Sequence, residues 1–208
     1  VIDTEQAKKQ CGGSAGNTVI AISQFGGKSY YSCRVANDEL GHFYMNDMKD
    51  AGVSHNLNES SLAEGITGKC LVMVTEDAER TMNTFLGITQ TYSTADVDEA
   101  AIKDSQYLYI EGYLITSENG KQAMKHAKKT AEDNGVKVAL TFSDPAMVKY
   151  FKDPMTEVIG ASVDLLFANE EEAMIFTGKD NLLEARVSQF GPRLQWHEAK
   201  DILARLNP

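Results

Sequence analysis

At 208 residues and a formal net charge of −10, the chain is long enough for one sizeable domain, and its acidity argues against nucleic acid or an anionic membrane as main partner. Hydrophobic residues at 42% and charged residues at 24% are ordinary globular proportions, which excludes a disordered chain. Three separated cysteines (Cys11, Cys33, Cys70) and four scattered histidines (His42, His55, His126, His197) offer no zinc spacing and no disulfide framework, which fits a reducing cytoplasm. His42, His55 and His126 read as surface residues. No apolar run approaches the roughly 18 residues of a membrane span. The start, VIDTEQAKKQ, is polar, unlike a signal peptide, and lacks an initiator methionine, so the true N-terminus is expected to lie upstream.

SAGNTVIAISQ (14–24) reads as a helix stopped by Gly26 and Gly27. SYYSCRV (29–35) is rich in β-formers. NDELGHFYMNDMKDAG (37–52) has Leu40, Tyr44 and Met48 at i, i+4 and i+8, a helical face, with Gly41 weakening its first turn. KCLVMVT (69–75) and RTMNTFLG (80–87), with EDAE as a turn, read as an antiparallel pair apart from the main body. Beyond residue 95 the chain alternates. DVDEAAIKD, the Ala123, Ala127 and Ala131 segment, DPAMVKYF and EEEAMIFTG are helical. QYLYIEGY, VKVALTF and VDLLFAN are strands. Strand–helix alternation with near-continuous apolar strands predicts an α/β fold with a parallel sheet covered by helices on both faces. Ligands bind beyond the C-terminal ends of such strands, which places EGY (111–113), SDP (143–145) and NEEE (169–172) on the working edge.

Several residues carry two readings. Gly12 and Gly13 form either a plain turn with Ser14 as helix cap, or a place where backbone approaches a ligand, with Asn17 one turn in to grip hydroxyls. In ANEEEA (168–173) the carboxylates either complement the helix dipole, or Asn169 and Glu172 at i, i+3 hold water around Mg²⁺, which takes few protein ligands. Arg80 is either a solvated turn residue or a charged fork for phosphate. Met73, Phe85 and Leu86 line either an apolar lid over a ligand or the lid's own small core. Asp38 with Gly41 reads as a helix start with a small packing residue.

Together these segments resemble the ribokinase-like (PfkB) carbohydrate and nucleoside kinases. GGSAGNT resembles that family's Gly-Gly-x-x-x-Asn signature, and RVANDELGHFYMNDMKDAGV its Gly/Ala-x-Asp-x-x-Gly segment and following helix. GKCLVMVTEDAERT resembles its lid strands, and NEEEA its Asn-x-x-Glu magnesium motif. YIEGYL and RTMNTFLG are most similar to the adenosine kinase and sugar kinase subgroup, and the match covers nearly all of residues 10–185. The resemblance implies one domain over residues 1–208. It would have a Rossmann-like central parallel sheet flanked by helices and a small β lid from about 53–58 and 69–87. It also implies ATP and Mg²⁺, and phosphorylation of a primary hydroxyl of a nucleoside or sugar, adenosine first and a ribose- or fructose-like sugar second. On this reading Gly12, Gly13, Asn17, Met73 and Phe85 bind substrate, Arg80 closes over phosphate, and Asn169 and Glu172 serve the metal. A homodimer through the lid is implied as well.

The family's second signature, Asp-Thr-x-Gly-Ala-Gly-Asp, which carries the catalytic base, does not follow NEEEA. DNLLEA runs instead into RVSQFGPRLQWHEAKDILARLNP, similar to the family's extreme C-terminal helix, with Ala199, Ile202, Leu203 and Leu206 as its apolar face. A join is expected near Ala185–Arg186, and a first strand before Val1 is expected to be missing. Either segments of the natural polypeptide are absent from this sequence, or the chain is a truncated, catalytically dead homologue that binds ligand only. The intact terminal helix favours the first.

Overall fold

The computed structural model describes residues 8–188 apart from positions 59, 61, 79 and 162. The expected C-terminal helix and His197 lie outside the described residues. The chain is α/β and forms two compact units that divide between Asp98 and Glu99.

The first unit opens with α1 (Ser14–Gln24). Its N-cap is Gly13, with φ +95°, and not Ser14. A glycine takes that positive φ without a Cβ penalty, so the helix begins one residue earlier than a serine cap would set. Val19 of α1 packs with Met48 and Val53 in a small core. Strand β1 (Tyr30–Tyr31) pairs in parallel with β2 (Ser54–His55). The β-rich 29–35 stretch yields only two strand residues because side chains take over its backbone groups. Asn56 accepts from the Cys33 N–H at 3.0 Å and donates to the Cys33 carbonyl at 3.0 Å. Segment 53–58 was expected in the lid; Ser54–His55 instead joins β1, where the Ser54 N–H reaches the Ser29 carbonyl at 3.0 Å.

Helix α2 (Glu39–Asp50) links these strands and buries Met48 completely, with Leu40 and Tyr44 half-buried. Asp38 caps it, accepting from the Gly41 N–H at 2.8 Å. Burial pushes the Asp38 carboxyl up, but the Thr67 hydroxyl, the N–H groups of Thr67 and Gly41, and the Lys69 charge outweigh this and hold it below the usual range. A carboxyl with a lowered folded pKa adds stability above its unfolded value of about 4, lost as pH falls through the folded value. In urea denaturation, Asp38→Asn should therefore show a smaller loss of stability than the natural protein between about pH 6 and pH 3.

Strands β3 (Lys69–Val74) and β4 (Arg80–Phe85) form the expected antiparallel hairpin. Downstream, the Ser93 side chain and Asp96 make a capping box, and Arg34 Nη1 meets Asp96 Oδ1 at 2.9 Å.

The second unit holds α3 (Glu99–Lys103), β5 (Tyr107–Glu111), α4 (Glu118–Asp133) and β6 (Lys137–Thr141). It continues through α5 (Pro145–Tyr150), α6 (Lys152–Ile159), β7 (Leu165–Phe167), α7 (Glu170–Thr177) and α8 (Leu182–Ser188). The strands form a parallel sheet in the order β5-β6-β7, with Ile110 beside Leu140 and Leu140 beside Leu166. Each crossover carries a helix, as parallel neighbours require. Ala123, Ala127 and Ala131 form the buried stripe of α4, as their spacing predicts; their small side chains let the helix approach β5 and β6 closely. Val138, Leu140, Phe142, Val148 and Met155 form the fully buried centre. Helix α6 has no counterpart among the sequence expectations. The three expected surface histidines are half-buried: His42 bonds Asn37 at 2.9 Å, His126 meets Glu99 at 3.1 Å, and Nδ1 of His55 is buried.

Candidate functional site

Parallel strands bring their C-terminal ends to one edge, and in the second unit that edge gathers the polar residues. Asn169 follows β7 and caps α7; Glu172 lies one turn in. The two bind each other reciprocally. The Glu172 N–H donates to Asn169 Oδ1 at 2.8 Å, the Asn169 N–H to Glu172 Oε2 at 2.9 Å, and Asn169 Nδ2 to Glu172 Oε1 at 3.1 Å. The two residues share one helix turn, and the capping box they form was not foreseen from the sequence, which offered the helix dipole or a hydrated Mg²⁺ for this turn.

Their chemistry leaves more to explain. Glu172 is 5% exposed. Burial pushes its carboxyl up, the Asn169 N–H pulls it back, and the negative charges of Asp144 and Glu171 raise it further. Tyr113, after β5, is pushed up by burial and by the carboxylates of Asp144, Glu111 and Glu172. Glu111 in turn accepts from the Ser143 hydroxyl and, at 3.5 Å, from the Tyr109 hydroxyl. Ser143 sits at φ +72°, the left-handed region, with its N–H bonded to Thr141 Oγ1 at 3.1 Å. The carboxylates of Asp144, Glu111 and Glu172 thus all act on the Tyr113 phenol at the working edge.

This donor set fits Mg²⁺ rather than zinc. Among the described residues no group of three His, Cys, Asp or Glu side chains is placed to hold a metal ion. Mg²⁺ takes one or two carboxylates and retains water, and a carboxylate that accepts two protein hydrogen bonds keeps lone pairs for such water.

In the first unit, Gly12, Gly13 and Asn17 come together at the start of α1, all exposed. The Gly12 carbonyl accepts from the Tyr44 hydroxyl at 3.1 Å, and the Gly13 carbonyl from the Asn17 N–H at 2.8 Å. The hairpin sorts its own residues by register. Val74 stands opposite Arg80, Met73 opposite Thr81 and Lys69 opposite Phe85. Side chains alternate along a strand, so Leu71, Met73 and Phe85 share one face, while Val72, Val74, Met82 and Arg80 share the other. Met73 and Phe85 therefore share a face without standing opposite each other, Met73 lying against Thr81 and Phe85 against Lys69, and Arg80 is not on their face. Glu111 and Asp144 were placed on the edge only as members of their tripeptides. Nothing in the sequence marked the left-handed Ser143.

The sequence profile of the pfkB family carbohydrate kinases matches residues 1–203. The chain belongs to this family. Among solved structures, the adenosine kinase from Sinorhizobium meliloti is similar with TM-score 0.78 and 33% identity, covering 84% of this chain and 53% of that one. A probable sugar kinase from Rhizobium etli CFN 42 gives TM-score 0.79 and 32% identity with the same coverage. A 5-dehydro-2-deoxygluconokinase from Clostridium perfringens is 23% identical over 184 residues, 85% of this chain and 54% of its own length. The ribokinase-like α/β fold expected for a pfkB chain is the fold found. The chain spans about half the length of the curated relatives it matches.

Proposed function

We propose that the full-length protein is an ATP- and Mg²⁺-dependent kinase. It transfers the γ-phosphate to a primary hydroxyl of a nucleoside or sugar, adenosine first. The observation that carries this reading is the Asn169–Glu172 pair, held by reciprocal hydrogen bonds at the C-terminal edge of a parallel sheet in a pfkB chain.

Phosphoryl transfer asks a protein mainly to align groups and to neutralise spreading negative charge. When bound, Mg²⁺ supplies charge against the phosphate oxygens. Asn169 and Glu172 would hold it, and the buried Glu172 carboxylate is fixed in place by the Asn169 N–H. Gly12 and Gly13 leave room at the start of α1, and Asn17 offers an amide to substrate hydroxyls. The hairpin acts as a lid that excludes water, with Met73 and Phe85 covering substrate. Arg80, on the other face of the hairpin from Met73 and Phe85, is the residue that would close over phosphate. We assign no residue of this sequence as the base.

On the hairpin face that carries Leu71, Met73 and Phe85, opposite Asn83, Thr81 and Lys69, the apolar side chains favour a flat nucleobase and with it adenosine, while the polar ones leave room for a sugar. The reading includes a single ribokinase-like domain, a cytoplasmic setting and a homodimer through the exposed hairpin, whose unpaired edges invite pairing.

The test is transfer of labelled phosphate from ATP by full-length protein to adenosine, guanosine, inosine, ribose and fructose. Adenosine is expected to give the highest kcat/KM. Transfer to sugars alone would replace the nucleoside reading by a sugar kinase, and adenosine binding with no transfer would mark a non-catalytic binder.

A further inference from the structure

The hairpin and its root differ sharply. Along β3 and β4 every described residue is exposed except the half-buried Met73. Directly below, Thr67 is 4% and Ile88 9% exposed. The two legs touch here. The Ile88 N–H donates to the Ile66 carbonyl at 2.9 Å. A Cβ at Gly68 would lie 2.7 Å from the Leu86 carbonyl oxygen and 3.0 Å from Thr89 Oγ1. One at Gly87, where φ is +54°, would collide with the Ile66 carbonyl oxygen. Each leg leaves the body through a glycine because the other leg's backbone occupies the space a side chain would need.

Thr67, between Ile66 and Gly68, is tied to α2. Its N–H donates to Asp38 Oδ2 at 2.9 Å and its hydroxyl to Asp38 Oδ1 at 2.6 Å. The same hydroxyl accepts from the Ala36 N–H at 2.9 Å. Asp38 thus serves two elements: it caps α2 through Gly41 and grips the hairpin leg through Thr67. The Asp38 carboxylate and the Thr67 hydroxyl spend their hydrogen bonds on each other and on backbone.

We infer that Asp38 and Thr67 are positioning residues that clasp the hairpin root to the N-terminus of α2, so that the hairpin closes over the acceptor substrate as one flap pivoting at Gly68 and Gly87. The pivoting rests on the lid reading above; the clasp rests on the hydrogen bonds alone. Flap movement leaves the root fixed, so the Thr67 and Ile88 amides stay protected while the exposed ladder beyond the glycines exchanges faster.

The test uses full-length protein carrying Thr67→Val, which keeps shape but removes the hydroxyl, Thr67→Ser, which restores it, and Asp38→Asn. The last keeps a good helix cap and turns an amide toward the Thr67 N–H. Hydrogen–deuterium exchange without ligand reads the clasp. Thr67→Val and Asp38→Asn should each speed exchange at Thr67 and Ile88 by about tenfold, the loss of one hydrogen bond to a charged group, with β5–β7 unchanged and Thr67→Ser close to the natural protein. Unchanged exchange at these amides in either variant overturns the clasp. Kinetics read the pivot. Both variants should raise KM for the acceptor by about tenfold with a smaller change in kcat, and Thr67→Ser should rescue KM. Faster exchange with an unchanged KM overturns the positioning role. If the natural protein transfers no phosphate, the kinase reading falls, and with it the pivot, while exchange still decides the clasp.

Discussion

Replacing Glu172 with Gln in the full-length protein should lower kcat by about 100-fold or more, the range seen when one preorganised charge-stabilising group is removed from a reacting centre. The side chain keeps its size and its place one turn into α7, so the loss is one of charge. Its two oxygens accept from two donors of Asn169, the N–H at 2.9 Å and Nδ2 at 3.1 Å. Gln has one oxygen for those two donors, so the variant also turns an NH₂ toward one of them. That costs about 1–3 kcal/mol of stability, less than the about 5–15 kcal/mol that holds a domain folded. Glu171→Gln is the control. Glu171 is exposed and lies in the same first turn, so it shares the helix-dipole role without the capping bonds. Its kcat should stay unchanged. A Mg²⁺ titration separates the possibilities: Glu172→Gln should need a higher Mg²⁺ concentration for half-maximal rate, Glu171→Gln should not. Equal losses in both would reduce the acidic turn to a helix-dipole device.

The contrast between these neighbouring glutamates shows what a sequence can carry. Asn169 and Glu172 were legible because their chemistry depends on a fixed spacing of three within one helix turn. The hairpin was legible for the same kind of reason, since period-2 alternation and the EDAE turn are local. The face assignment of Arg80 was implicit in that alternation too: once Val74 stands opposite Arg80, Met73 must point the other way. Other features were not local. Thr67 and Asp38 are separated by 29 residues, and neither carries a mark of the other. Segment 29–35 has the composition of a strand, but Asn56 takes the Cys33 backbone out of any ladder. Helix α6 begins without a side-chain cap at Phe151 and has Pro154 in its first turn, where proline is tolerated but reads as a break. Ser143 is left-handed where Glu111, one strand away, accepts from its hydroxyl and Thr141 Oγ1 from its N–H, contacts that its own tripeptide does not announce.

Phe142 ties that edge to the core, and truncating it should have the largest effect on stability of any single change considered. Its side chain is 1% exposed, and its ring lies 4.7 Å from that of Phe176, tilted by 36°. Its N–H donates to the Phe167 carbonyl at 3.1 Å, so it joins β6, β7 and α7 at the point where Ser143 and Asp144 begin. Phe142→Ala removes the ring and leaves a cavity the sheet cannot close, at a cost of about 3–5 kcal/mol. Set against a total of about 5–15 kcal/mol, this is a large fraction of what holds a domain folded. Differential scanning calorimetry should record a fall in Tm of about 10 °C. Phe142→Leu retains most of the volume but loses the ring pair with Phe176, and should cost clearly less than Phe142→Ala. The two variants also separate global from local effects. Well below Tm both proteins are folded, so a loss of kcat/KM in Phe142→Ala beyond that in Phe142→Leu reflects movement of the edge itself. The residues that follow Phe142 and the cap that follows Phe167 hang from the hydrogen bond and the ring pair it makes. An unchanged kcat/KM in folded Phe142→Ala would mean that Ser143 and Glu111 hold the edge without support from the core.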